Sequence, residues 1–347
     1  MKKHLVYDLS YEELSQMLDS WGEPKYRSQQ IWKGIYQSLW YRADDFTPLP
    51  KALRSKLFDQ FTFSHLTPVK NSDSTDGETR KTLFQLPDNH LVETVKMQYS
   101  KRRTLCISTQ SGCAMGCVFC ATGQMGFFRN LTVGEIIEQI LFFARTVAVG
   151  GDRITNIVFM GMGEPFQNYT NVMRAIEILN RPDGMSLGTR RFTISTVGLV
   201  PQIRRLTGEK LRVNLAVSLH AADDELRTSM LPINKKYPLG VLMESLDEYM
   251  HITKRRVTFE WALINGVNDT PDQANKLSNL LRGKLAHVNL IPLNDTSKYK
   301  GKASSRKRQD AFKSILESHR IACSIRLRRG IDIQAGCGQL ADSFTSR

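Results

Sequence analysis

Cys113, Cys117 and Cys120 stand in the run Ser-Gly-Cys-Ala-Met-Gly-Cys-Val-Phe-Cys-Ala-Thr-Gly, spaced C-x3-C-x2-C. Three thiolates this close together on a glycine-rich loop can turn inward onto one metal centre. A structural zinc usually takes four protein ligands, and an iron–sulfur cluster is usually held by four thiolates. With three, one iron of a cluster keeps an open position at which a substrate can bind as to a Lewis acid. The plainer alternative is a structural zinc completed by Cys106 or a histidine. Phe119, inside the motif, either shields a cluster or simply packs.

The other three cysteines are Cys106, Cys323 and Cys337. In the strand-like run Thr104–Gln110, Leu105 and Ile107 take one face, while Cys106, Ser108 and Gln110 share the other. Cys337 sits between glycines, in Ala335-Gly-Cys-Gly338, a context mobile enough to swing into a site. The bland reading is two ordinary buried thiols, natural for Cys106 on a strand and less so for Cys337. Cys323 shares an apolar strand face with Ile321, Ile325 and Leu327 and reads as core. Glu93 shares its strand face with Leu91, Val95 and Met97. A carboxylate there is costly to bury ionised and tends toward a raised pKa, which suits a proton acceptor; at a strand edge it would be merely solvated.

Polar residues end several apolar runs. Phe159-Met-Gly-Met-Gly-Glu-Pro165 brings Gly163 and Glu164 to a strand end. Glycine lets backbone approach a ligand closely, and Glu164 can accept a hydrogen bond from an ammonium. Ser195, the Ser218-Leu219-His220 run and Asn294 end further strands. Any one alone reads as a turn or cap residue; together they describe a ligand site.

The elements that must position these residues alternate. Apolar strands are expected near 104–109, 155–160, 191–196, 212–219, 256–262 and 286–292, and a seventh strand-like stretch at Ile321–Leu327. Helices are expected near 132–148, 169–180, 199–207, 223–230 with 239–253, 271–283 and 304–319. This rhythm argues for a parallel α/β sheet. Six units are too few for a full eight-fold barrel and suit an incomplete (β/α)6 barrel, whose chemistry sits at the C-terminal strand ends. Upstream, Ser10 and Glu13 form a capping-box pattern for a helix through Trp21, ended by Gly22. Further helices are expected over Tyr26–Leu39 and from Pro50 to Phe61. Residues 71–78 read as a loop, and Arg80–Tyr99 as strands broken at Pro87-Asp88-Asn89. The expected divisions are a helical accessory domain over 1–65, a strand-rich connector over 66–100, the partial barrel over 101–320, and a strand and tail over 321–347.

The chain has 347 residues, of which 41% are hydrophobic and 24% charged, ordinary globular usage that excludes disorder as the main state. There is no run of about 18 uncharged apolar residues, and no apolar stretch follows the first lysines, so neither a membrane span nor a secretory signal is expected. A cytoplasmic location follows, and in a reducing cytosol a disulfide framework is not expected. The net charge of +14 favours a polyanionic partner, with nucleic acid foremost. Lys298, Lys300, Lys302, Arg306, Lys307 and Arg308 fall within eleven residues around Tyr299. Arg190-Arg191, Arg204-Arg205, Lys235-Lys236, Lys254-Arg255-Arg256 and Arg328-Arg329 add further clusters. Such cations grip phosphates, though a solvated helix start at 304–308 explains part of the first group.

The C-x3-C-x2-C loop after the first barrel strand resembles the signature of radical S-adenosylmethionine (SAM) enzymes. With TLCISTQSGCAMGCVFCATGQMGFFRNLTVGEI, FMGMGEPFQNY, RRFTISTVGLVP, LAVSLHA, HVNLIPLN, AGCGQL and the helical Tyr26-Arg-Ser-Gln-Gln-Ile-Trp32, nearly the whole chain resembles the RlmN/Cfr family of radical SAM RNA methyltransferases. MGMGEP is typical of its RlmN branch. The tail departs from the pattern, with RGIDIQAGCGQL where the family more often has RGDDIDAACGQL. The resemblance implies a [4Fe-4S] cluster on Cys113, Cys117 and Cys120, whose open iron chelates SAM. It implies SAM-binding roles for Gly163, Glu164, Ser195, Ser218, Leu219, His220 and Asn294.

The implied reaction is methylation of adenine C2 in 23S rRNA near the peptidyl-transferase centre, and in some members of the adenosine 3′ of the anticodon in tRNA. Adenine C2 is electron-poor and cannot attack the SAM methyl as a nucleophile, so a radical cofactor is needed. The family implies that Cys337 takes a methyl from one SAM and that the radical from a second SAM removes a hydrogen from it. The carbon then joins C2, Glu93 takes the proton, and Cys106 resolves the adduct as a transient Cys106–Cys337 disulfide. A flavodoxin or ferredoxin system as electron donor and a monomeric enzyme complete the expectation. The alternatives are a Cfr-like C8 methyltransferase and a zinc-stapled, non-catalytic RNA-binding protein.

Overall fold

The computed structural model describes residues 3–340; the last seven positions of the expected tail lie outside them. The chain opens with β1 (His4–Leu5), α1 (Tyr11–Ser20), α2 (Tyr26–Tyr36), α3 (Lys51–Gln60) and β2 (Phe61–Thr62). β1 and β2 pair in parallel and tie the two ends of this unit together. The capping box at α1 is present: Ser10 Oγ accepts from Glu13 N, and the Glu13 carboxylate accepts from Ser10 N. α2 stops at Tyr36 rather than Leu39, because Leu39 takes φ +61° and Trp40 N turns back to the Gly34 carbonyl. Tyr7, Trp32 and Phe46 form the centre of this unit, each at most 1% exposed.

An antiparallel arm follows, made of β3 (Thr67–Asp73), β4 (Thr79–Gln85) and β5 (Leu91–Tyr99). Residues 71–73, expected in a loop, extend β3: Asn71, Ser72 and Asp73 pair with Thr82, Lys81 and Arg80. The polar side chains there reflect an exposed edge strand, and the turn proper is 74–78. β5 then pairs antiparallel with β6 (Arg102–Cys106), so the arm continues the main sheet.

Between β6 and the next sheet strand come β7 (Gln110–Gly112), α4 (Ala121–Met125), β8 (Phe127–Asn130) and α5 (Val133–Ala148). β7 and β8 pair as a small hairpin around the cysteine loop. The βα rhythm then runs through β9 (Asn156–Phe159), α6 (Tyr169–Asn180), β10 (Phe192–Thr196), α7 (Val200–Gly208) and β11 (Asn214–Ser218). It continues with α8 (Asp224–Met230), α9 (Leu239–Thr253), β12 (Val257–Leu263), α10 (Pro271–Leu281), β13 (Ala286–Pro292), α11 (Arg306–Ser318) and β14 (Cys323–Ile325).

Among the described residues the main sheet has ten strands in the order β14-β13-β12-β11-β10-β9-β6-β5-β4-β3. From β6 to β14 all neighbours are parallel. The stretch at Ile321–Leu327 thus supplies a seventh parallel strand. It is shorter than expected, and Leu327 is 75% exposed while Cys323 is only half-buried. Reading Cys323 as core is corrected to a half-covered edge position, with Sγ directed to the Lys313 carbonyl. Among the described residues β14 is the edge strand, and no further strand covers that flank.

Alternation decides what the sheet encloses. Ile157 and Phe159, Ile194, Leu215 and Val217, Phe259 and Trp261, and Val288 and Leu290 are all at most 1% exposed in the apolar core. Their neighbours Ser195, Ser218, Glu260 and Ile291 border a cavity inside the sheet's curve.

Candidate active site

The cysteine loop bulges from the β7–β8 hairpin and is held largely by hydrogen bonds within itself. Cys113 N donates to Gly126 O, Cys120 N to Cys117 O, and Gln124 Nε2 to Val118 O. Cys113 and Cys117 are buried and Cys120 is half-buried. Burial pushes the Cys113 thiol up to about 12 and raises those of Cys117 and Cys120. All three border one wall of a cavity of about 160 Å³. The facing walls hold Gly163 and Glu164, Ser195, Ser218 and His220, Asn294, Arg326 and Cys337. The strand-end residues expected in a ligand site therefore meet in one place, with one exception. The Leu219 side chain is fully buried in the core and does not border the cavity; its N–H donates to Glu260 O and its carbonyl accepts from Arg227. Alternation turns it away from the flanking Ser218 and His220.

Glu164 is 3% exposed, and its two oxygens accept from Phe166 N and Val197 N. Burial still pushes its carboxyl up to about 7. Gly163 precedes it at φ +100°, where a Cβ would lie 2.5 Å from Gln110 Cβ. That contact lets Gln110 Oε1 accept from Glu164 N at 2.8 Å. His220 has its pKa pushed down to about 3 by burial and by Arg227, so its ring is neutral. Its Nδ1 accepts from Ala262 N, which leaves the proton on Nε2, and the ring meets Phe119 edge-on at 4.9 Å. Phe119 therefore lines the cavity and packs at once.

Cys337 is brought in by a docked tail. Asn294 Nδ2 donates to Cys337 O at 3.0 Å, Ala121 N to Gly338 O at 2.7 Å, and Thr122 Oγ1 to Leu340 O at 3.0 Å. The flanking glycines serve close approach as well as freedom: a Cβ on Gly336 would fall 2.6 Å from Asn294 Nδ2. Arg326 Nη1 lies 3.3 Å from Cys337 Sγ. The Cys106 thiol is buried, and burial followed by the Cys337 sulfur pushes it up to about 12. The two extra cysteines are thus electrostatic neighbours, with the half-buried Arg326 guanidinium acting on both.

Glu93 is 1% exposed and ion-paired to Lys81 Nζ at 3.1 Å. Its strand face is less apolar than the sequence of β5 alone suggests, because Lys81 reaches over from β4. It borders a second cavity beside the tail, of about 260 Å³, with Lys81, Asp332 and Gln334. Val95, two residues on, is the cross-strand partner of Cys106, so Glu93 and Cys106 share one face of the sheet.

Two cavity residues escaped the sequence reading. Glu260 is 4% exposed, accepts from Asn289 Nδ2 at 2.8 Å, and has its carboxyl pushed up to about 7 by burial. Arg326 is the other. Both lie in runs that read as apolar strands, and the only signal was a charged residue at an inward position of each. The basic loop after β13 rims the site through Tyr299, whose ring is 6.4 Å from Phe119. Lys298, Lys300 and Lys302 there are exposed. Arg308 is otherwise occupied, 2.6 Å from the buried Asp269 carboxylate, and Arg306 pairs with Asp310. α11 is capped by Ser305 Oγ, so this half of the run is a helix start.

The cavity suits the group that three thiolates imply. Among the described residues no group of three histidines, cysteines or carboxylates closes on a single-ion site. A cluster in which each iron takes its own thiolate needs no such convergence. Asn294 Oδ1 is buried at the cavity with no hydrogen-bond partner among the described residues, an acceptor ready for a donor on a bound molecule. Residues 107–276 match the model of the radical SAM superfamily, and residues 5–62 match the ribosomal RNA large subunit methyltransferase N-terminal domain. The chain is 46% identical to a probable dual-specificity RNA methyltransferase RlmN of Chloroflexus aurantiacus, over 98% of this chain and 93% of that protein. It is 45% identical to dual-specificity RNA methyltransferase RlmN 1 of Myxococcus xanthus, over 99% and 95%.

The chain belongs to the RlmN family.

The crystal structure of a radical SAM methyltransferase from Sphaerobacter thermophilus superposes with a TM-score of 0.96 at 49% identity, covering 98% of this chain and 99% of that one. The radical SAM fold is therefore present with both family segments. RlmN membership implies SAM and a [4Fe-4S] cluster, and the three cysteines of the β7–β8 loop are the thiolates that fit it.

Proposed function

We propose that this protein methylates C2 of adenine in 23S rRNA and in tRNA, using Cys337 as methyl carrier and Cys106 as resolving thiol. The observation that carries this reading is the position of Cys337 in the wall of the cysteine-loop cavity, with Arg326 on its sulfur. Cys113, Cys117 and Cys120 would hold the cluster; Glu164 and Asn294 offer acceptors to SAM, and Ser195, Ser218 and His220 complete its cradle. Bound there, cluster and SAM supply the one-electron chemistry that turns an S-methyl group into a carbon radical. Two SAM molecules are consumed per turnover, one for the methyl and one for the radical.

The chain's own residues do the rest. The Cys337 sulfur gives up its proton and takes a methyl group from SAM, which would leave as the neutral thioether, and Arg326 Nη1 lies 3.3 Å from that sulfur. Once the methylene carbon is joined to C2, the adduct loses the C2 proton to Glu93 and one electron to the redox system that would serve the cluster, which restores the aromatic ring. Cys106 Sγ, as thiolate, then attacks Cys337 Sγ: the S–S bond forms, the C–S bond breaks, and its electron pair stays on the carbon, which takes a proton to become the methyl product. The disulfide needs two electrons and two protons from a cellular thiol reductant before the next cycle, consistent with a cytoplasmic location. A flavodoxin- or ferredoxin-type donor and a monomeric enzyme complete the proposal.

The test is anaerobic reconstitution with iron and sulfide, then incubation with SAM, reductant and a 23S rRNA fragment or tRNA. Mass spectrometry should find 2-methyladenosine with the natural protein and none with Cys337→Ala. Cys106→Ala should instead accumulate a covalent protein–RNA adduct. Only 8-methyladenosine as product would overturn the C2 assignment in favour of Cfr-like chemistry.

A further inference from the structure

Lys81 is a buried cation that the mechanism above leaves unused. It is 6% exposed, on β4, in a cavity whose lining includes Lys70, Ser72, Glu93, Asp332 and Gln334. An ammonium has three N–H donors and is costly to strip of water unless they are engaged. One N–H of Lys81 faces Glu93 Oε1 at 3.1 Å. Another donates to the backbone carbonyl of Gln334 at 3.1 Å. Gln334 stands three residues before Cys337 and takes a left-handed φ of +53°, so its carbonyl is aimed by the bend of the tail. One side chain thus holds the proposed proton acceptor and the loop that carries the methyl.

The outer side of the same loop is fastened to the same hairpin. Asp332 Oδ2 accepts from Thr75 N at 2.7 Å and from Thr75 Oγ1 at 2.8 Å. Arg329 pairs with Glu78 and lies over the Tyr99 ring. These contacts are exposed or half-exposed and are worth little each. Lys81 is the buried one, and removing it takes away at one stroke the cation beside a buried carboxylate and the donor to the tail carbonyl.

We infer that Lys81 is a positioning residue for methyl transfer: it ties the Cys337 loop and the Glu93 carboxylate to one point on β4, so that sulfur and base keep a fixed relation. This rests on the proposed roles of Cys337 and Glu93, but the tether is testable without them. Hydrogen exchange read by mass spectrometry on the full-length, cluster-loaded protein reports peptides spanning 329–340. Lys81→Met should speed their exchange at least tenfold and leave the α5 peptide unchanged, which also certifies the fold. Lys81→Arg, which keeps charge and donors, should stay within about threefold of the natural protein. In single-turnover reactions, Lys81→Met should lower methylated adenosine at least tenfold and Lys81→Arg should restore it.

Unchanged tail exchange in Lys81→Met overturns the tether, whatever happens to activity. Should Lys81→Met fail to fold, Lys81→Gln replaces it under the same criteria, because it removes the charge at similar length. If the natural protein makes no methylated adenosine, the functional reading fails, while the exchange experiment still decides the tether.

Discussion

At the scale of single residues, the cavity concentrates groups whose ordinary protonation is displaced. Glu260 is one such case: burial raises its carboxyl from 4.5 to about 7 and Arg326 only partly offsets this. A raised folded pKa means that the folded state binds the proton more tightly than the unfolded one. The resulting stability is present in full below the unfolded pKa and is lost as pH rises through about 7. Glu260→Gln keeps the shape and removes the charge. It should leave stability nearly unchanged at pH 4.5 and raise it at pH 8, by at most about 3 kcal/mol from the size of the shift. Thermal melts of both proteins across that range check this; a variant that gains equally at both pH values would show that ionisation is not the cause.

Gly336 gives a second test at this scale. A Cβ there would lie 2.6 Å from Asn294 Nδ2, 2.7 Å from its Cγ and 2.8 Å from Gln339 Oε1. Gly336→Ala should displace the hydrogen bond that Asn294 gives to Cys337 O and misplace the sulfur. Methylation of Cys337, read by intact-protein mass spectrometry, should fall at least tenfold while the melting temperature shifts by only a few degrees, as for loss of about 1 kcal/mol. The sequence shows glycines beside Cys337 and suggests mobility. Only the structure shows that one of them is there because a neighbouring side chain occupies the space.

At the scale of elements, α5 joins the N-terminal unit to the sheet. Its Thr132 cap and Glu135 close a capping box, legible in the sequence Thr-Val-Gly-Glu. The docking was not legible. Asp8 Oδ1 accepts from Gly134 N at 2.7 Å, and the Glu138 carboxylate accepts from Ser64 Oγ, His65 N and Leu66 N. Glu138 is buried and its carboxyl is raised by that burial against these hydrogen bonds. Glu138→Ala should cost about 2–3 kcal/mol, because it strands the backbone donors of residues 65 and 66. Denaturant unfolding would measure the loss, and limited proteolysis near residues 62–67 should become faster.

At the scale of the whole molecule, the net charge of +14 predicts salt-sensitive RNA binding. Not every cation takes part. Arg204 faces Glu244 and Glu248, and Arg308 is held by Asp269. Lys298, Lys300 and Lys302 lie exposed on the loop beside Tyr299 at the cavity rim. Replacing these three by alanine should weaken RNA binding and flatten the log–log salt dependence by about 2, given roughly 0.7 per phosphate contact on single strands. The Arg306→Ala and Arg308→Ala pair should change the slope far less. An unchanged slope in the triple variant would move the RNA path elsewhere.

The sequence by itself determined the cysteine spacing, the βα rhythm and the polar strand ends, because thiolate chemistry and alternation are local properties written in residue order. It placed the parallel strands to within a few residues, and it singled out Cys106 and Cys337 from Cys323. Tertiary structure alone decided what these meet. Arg326 touches the sulfur of Cys337, eleven residues further along, through the return of the tail, and Lys81 meets Glu93 across β4 and β5 and Gln334 across 253 positions. Leu219 turned inward to the core while Ser218 and His220 turned to the cavity. Such pairings arise from chain closure and sheet register, and no window of neighbouring residues contains them.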